Sequence, residues 1–135
     1  MDMHTHTDNS PDGTHSTMFM CETAMLKGLR AIAFTDHYDF TQFEELNYKK
    51  RSSYAFFDMA KARAAFTGRL LVLTGIELGE PTYDEGFAAE ALKRDYDIVL
   101  GSIHNLRDKP DFKFIDYSTV DVNAYLAEYF DEVKS

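Results

Sequence analysis

Short apolar runs alternate with amphipathic stretches along this chain. Four runs read as strands: residues 1–5, 31–35, 70–76 and 97–103. The first is brief and is recognised more by position than by pattern. Residues 70–76 are apolar almost throughout, as in a parallel strand covered on both faces. Between the runs lie helical signals. Ser16 or Thr17 can cap a helix reaching about Lys27, with Gly28 at its stop and Met18, Cys21, Met25 and Leu29 at helical spacing. A polar, aromatic loop over 38–51 leads to a second helix, capped by Ser53 and ending before Gly68. After Pro81, Thr82-Tyr83-Asp84-Glu85 has the form of a capping box, predicting a helix to about Arg94. A last helix is expected from about Thr119, with Val122, Leu126, Tyr129, Phe130 and Val133 on one stripe.

This order implies an α/β fold: about four parallel strands alternating with helices through right-handed crossovers. Pattern alone leaves open whether the sheet is flat or curls toward a barrel. Polar residues sharpen the picture, because they gather where the strands end. That is where both barrels and open α/β sheets place their ligands.

Each of the five histidines falls at such a break. His4 and His6 form a His-Thr-His pair, whose imidazoles share a face in extended chain. His37 follows Asp36 at the end of the second run, and His104 ends the fourth. Glu77 closes six apolar residues, an expensive place for a carboxylate unless it is paired or metal-bound. Asp12 and His15 lie in a loop that can reach the same place; Asp12 is the better candidate, and His15 fits a solvent-exposed loop almost equally well. Glu80, beside Pro81, reads as a residue leaving the core. Asp36 is expected to hold its neighbours in place rather than to bind. Together these residues point to a metal-dependent hydrolase.

Composition narrows this further. The 135 residues fit one domain, and 44% hydrophobic content supports a core. A net charge of −9 disfavours nucleic acid and anionic membranes as partners. Cys21 is the lone cysteine, on an apolar helix face, which suits a buried inert thiol and a reducing compartment. With no apolar stretch of membrane-spanning length and no leader pattern, the expectation is a soluble cytoplasmic protein.

The segments Met1-Asp2-Met3-His4-Thr5-His6-Thr7, Ser10-Pro11-Asp12-Gly13, Phe34-Thr35-Asp36-His37, Gly75-Ile76-Glu77 and Gly101-Ser102-Ile103-His104 closely resemble the PHP (polymerase and histidinol phosphatase) family. Asn105-Leu106 and the later Asp111-Phe112 and Ile115-Asp116-Tyr117 resemble its histidinol-phosphatase branch. The resemblance implies a distorted (β/α)7 TIM-like barrel with two to three divalent metals, zinc, manganese or iron. By motif position, His4 and His6 hold one metal, Glu77 bridges it to a second that takes His104, and Asp12 and His37 serve the third. It further implies hydrolysis of a small phosphomonoester, foremost histidinol phosphate of histidine biosynthesis, by metal-activated hydroxide without a protein nucleophile.

The match reaches only the N-terminal half of such a barrel, since the family's later histidine and Asp-x-His motifs have no counterpart. Residues 1–135 therefore read as a partial PHP domain, expected to form a homodimer or pair with the missing C-terminal half. Three readings compete: a phosphatase, a PHP-type nuclease or other phosphoesterase, and a catalytically incomplete metal-binding unit. Arg107, Lys109 and Lys113, after His104, are weak candidates for attracting phosphate.

Overall fold

The computed structural model describes residues 1–134. In chain order the elements are α1 (Thr17–Leu26), β1 (Ala31–Phe34), β2 (His37–Asp39), α2 (Tyr48–Phe66), β3 (Leu71–Gly79), α3 (Glu85–Ala91), β4 (Ile98–Ser102), a 3-10 turn (Phe112–Phe114) and α4 (Val122–Lys134). All strand pairs are parallel, as the alternation predicts.

β3 is the central strand. Ala31 pairs with Leu71 and His37 with Glu77, the same offset, so β1 and β2 follow one another along a single edge of β3. β4 occupies the opposite edge, with Glu77 beside Leu100. The sheet therefore places residues 37, 77 and 100 in one row.

The strand expected at 1–5 is reduced to a single bridge, Asp2 with Ile32. Its hydrogen bonds nevertheless run alongside β1: Ala33 N donates to Asp2 O, and Thr35 N donates to Thr5 O at 2.8 Å. That pairing carries His4 and His6 into position. Other boundaries also shift. β2 lies inside the predicted loop. α2 starts at Tyr48 rather than at Ser53, after Asn47 in the left-handed region at φ 51°. Aromatic packing drives the earlier start: Tyr48 is fully buried, within a cluster of Tyr38, Ile76, Leu78 and Ala91. Asp84, not Thr82, caps α3, accepting from Phe87 N, while Thr82 Oγ1 donates to Glu132. Ser16 caps α1 as expected, and Gly28 takes φ 75° at its stop.

The main core lies outside the sheet, where α1 and α2 cover β1 and the start of β3. Cys21, Ile32, Phe34, Ala55, Met59, Ala62, Phe66 and Val72 are all buried there. Apolar burial of this kind contributes about 25 cal/mol per Å². No described helix is long and apolar enough to cross a membrane.

Candidate metal centre

The strand ends assemble the cluster because the sheet is in register. β3 delivers Glu77, β2 delivers His37 in the same row, and the chain after β4 delivers His104. The extended segment beside β1 adds His4 and His6. Asp12 comes from the loop between them and α1, and that loop is tied down by Asp36. The buried Asp36 carboxylate accepts from Thr7 N at 2.6 Å, Thr7 Oγ1 at 2.8 Å and Ser10 Oγ at 2.7 Å. Ser10 Oγ in turn accepts from His37 N.

Glu77 sits at the centre. Its Oε2 lies 3.1 Å from both His4 Nε2 and His6 Nε2, and its Oε1 lies 3.1 Å from His104 Nε2. His6 Nδ1 reaches Asp12 Oδ1 at 3.0 Å, and His37 Nε2 reaches Asp12 Oδ2 at 3.5 Å. Three groups of donor atoms result, each within 4.8 Å: His4, His6 and Glu77; His6, Asp12 and His37; His37, Glu77 and His104. Nitrogen and carboxylate oxygen in this mixture suit zinc, manganese or iron. The residues present therefore fit the group that the motifs imply.

Electrostatics follow from the crowding. Burial works to raise the Glu77 carboxyl, but hydrogen bonds from His104 and His6 and the nearby His37 and His4 outweigh it and hold it far below the usual range. His104 is desolvated, yet Asp39 and Glu77 push it up to about 10. His6 and His37 are likewise raised despite burial, by Glu77 and Asp12 and by Asp39 and Glu77 respectively. The Asp36 carboxyl is raised as well, since burial outweighs its three donors.

Two residues belong here that the motifs do not single out. Asp39, at the end of β2, lies 3.2 Å from His37 Nδ1 and 3.5 Å from His104 Nδ1. Its carboxyl falls to about 2, burial being outweighed by those two histidines. Its place two residues after His37 on one strand face was the available signal. Glu80, read as leaving the core, is instead fully buried: its Oε1 accepts from His104 N at 2.8 Å. The turn that buries it puts Glu80 itself at φ 52°.

The remaining candidates stay outside. His15 stacks on Phe19 and contacts Thr14. Arg107 lies over the Tyr83 ring and donates to Thr82 O, and Lys109 pairs with Glu128. Lys113 is different: it lines the cavity, about 430 Å³, that holds His4, His6, Asp12, His37, Glu77 and His104.

Fold and site define a class: a parallel α/β sheet with three groups of histidine and carboxylate side chains at its strand ends that could hold metal ions. The chain belongs to the PHP domain family, whose model matches residues 2–135. It is 27% identical over 137 residues to a protein of Deinococcus radiodurans named probable histidinol-phosphatase, covering 96% of this chain and 52% of that one. The chain thus spans about half the length of the curated relative it matches. The crystal structure of histidinol phosphate phosphatase from Lactococcus lactis, complexed with zinc, L-histidinol and phosphate, superimposes with a TM-score of 0.57. That match is 23% identical over 79% of this chain and 41% of the other, a likeness of fold.

Proposed function

We propose that this chain carries the metal-binding part of a phosphoesterase centre acting on a small phosphomonoester, with histidinol phosphate the first substrate to test. The observation that carries the reading is Glu77, whose two oxygens face different histidines across the cluster. A buried carboxylate so placed is suited to bridging two cations. His4 and His6 would complete one site, His104 the second, and Asp12 with His37 the third. Divalent cations, if held by these residues, would supply Lewis acidity toward phosphate oxygens and an activated water. The chain's own residues do the rest: Asp36 fixes the loop bearing Asp12, and Glu80 fixes the backbone of His104. Lys113 is the one lysine or arginine lining the cavity among the described residues; its Nζ pairs with Asp111 at 3.1 Å, from where it would meet an anionic substrate. The relatives named as histidinol phosphatases support the choice of substrate.

The same reading assigns the bare edge of β4 to a further parallel β/α segment, supplied by a longer chain or by a second copy. Metal analysis of the purified protein, its mass in solution, and phosphate release from histidinol phosphate beside cleavage of single-stranded DNA form the test. Two or three zinc or manganese ions per chain and phosphate release are expected. A metal-free protein after incubation with excess metal, or nuclease without phosphatase activity, overturns it.

A further inference from the structure

Asp39 makes contacts that a mere neighbour of the cluster would not need. One oxygen, Oδ1, serves Nδ1 of two rings, His37 at 3.2 Å and His104 at 3.5 Å. The other, Oδ2, accepts the hydroxyl of the fully buried Tyr48 at 2.8 Å, which fixes how the carboxylate is turned. The space it occupies is reserved by Gly79, its register partner on β3. A Cβ on Gly79 would lie 2.4 Å from Asp39 Oδ1 and 2.9 Å from its Cγ, so any other residue there expels the carboxylate. Gly79 has no positive φ that would otherwise call for glycine.

A carboxylate accepts but does not donate, so both Nδ1 atoms facing it carry hydrogen. Their Nε2 atoms point the other way, His104 toward Glu77 Oε1 at 3.1 Å and His37 toward Asp12 Oδ2 at 3.5 Å, where a cation can take the place of the Nε2 proton. Histidine ligands commonly have their other ring nitrogen held by a carboxylate in this way.

We infer that Asp39 is the positioning residue of the centre, setting the tautomer of His37 and His104 together, and that Gly79 and Tyr48 are what admit and orient it. This rests on the metal reading above, which it extends to residues that the ligand motifs do not contain.

The test is zinc affinity by chelator competition, together with nitrogen-15 NMR of the histidine rings in the zinc-loaded chain. In the wild type the Nδ1 protons of His37 and His104 are expected downfield and protected from exchange. Asp39→Asn should shift both upfield and weaken zinc by roughly 10–100-fold without changing the number of ions bound. Gly79→Ala should reproduce that loss with the aspartate still present, and Tyr48→Phe should show a smaller part of it. Zinc affinity unchanged in both Asp39→Asn and Gly79→Ala, or ring protons unmoved in Asp39→Asn, overturns the inference while leaving the metal reading intact. No zinc uptake by the wild type overturns both.

Discussion

The two flanks of β3 are built differently. On the β1 side, two helices seal the sheet: Ile32 is 3% exposed and Phe34 0%, against Cys21, Met59 and Phe66. On the β4 side, Val99 is 45% exposed and α4 buries none of its residues, leaving Leu126 and Phe130 about half uncovered. Yet both flanks feed the same cluster. His4, His6, Asp12 and His37 stand on the packed flank, whereas His104 stands on the thin one. There, polar contacts replace packing: Glu80 holds the His104 backbone and Asp39 its ring. Packing positions a ligand by excluding alternatives, and a hydrogen-bonded carboxylate does so by direction.

Glu77 joins the flanks, so its loss is the largest change expected. Glu77→Gln should lower the bound zinc by at least one ion per chain, read by elemental analysis; an unchanged content would show that the flanks bind independently. Next comes the packed flank itself. Phe34→Ala should cost about 3–5 kcal/mol in denaturant unfolding, the usual range for a buried phenylalanine. The thin flank should respond through its polar contacts. Glu80→Ala, which strands the His104 N–H, should cost about 1–3 kcal/mol and weaken zinc at the His104 side only.

The pH dependence sharpens the contrast. His104 at about 10, with His6 and His37 also raised, means that zinc must displace protons. Zinc affinity should rise roughly tenfold per pH unit for each proton displaced, measurable by titration between pH 6 and 8. Without metal the sign reverses. The raised histidines stabilise the fold fully below their ordinary value near 6.5, and the His104 share is lost as pH rises through about 10. Thermal melts with chelator present should follow that course. The smallest effect is expected on α4: Leu126→Ser should cost about 1 kcal/mol in denaturant unfolding, since only about half of that side chain is covered.

Much of this was legible in the chain itself, and for physical reasons. Strand β3 is visible because a strand covered on both faces must be apolar throughout. Its terminal Glu77 stands out because a carboxylate there has to be partnered. The His-Thr-His spacing puts two rings on one face whatever surrounds it. Ser16 and Gly28 announce α1 through local hydrogen bonding and backbone freedom. By contrast, α2 starts at Tyr48 rather than at Ser53 because burial of Tyr48 overrides the capping signal of Ser53. Arg107 is near the cluster in sequence, but the Tyr83 ring and Thr82 carbonyl take it elsewhere.

The alternation of elements and the candidate ligand types at the strand ends can be read from the chain alone, because both depend on short-range periodicity and on the cost of burying charge. Their convergence in space cannot. That His37, Glu77 and His104 converge depends on β3 lying between β2 and β4 in one register. That Asp39 and Glu80 serve the cluster rather than solvent depends on contacts 24 to 65 residues apart along the chain. Those contacts form only when the sheet brings the strand ends together, and no local pattern encodes the distance across it.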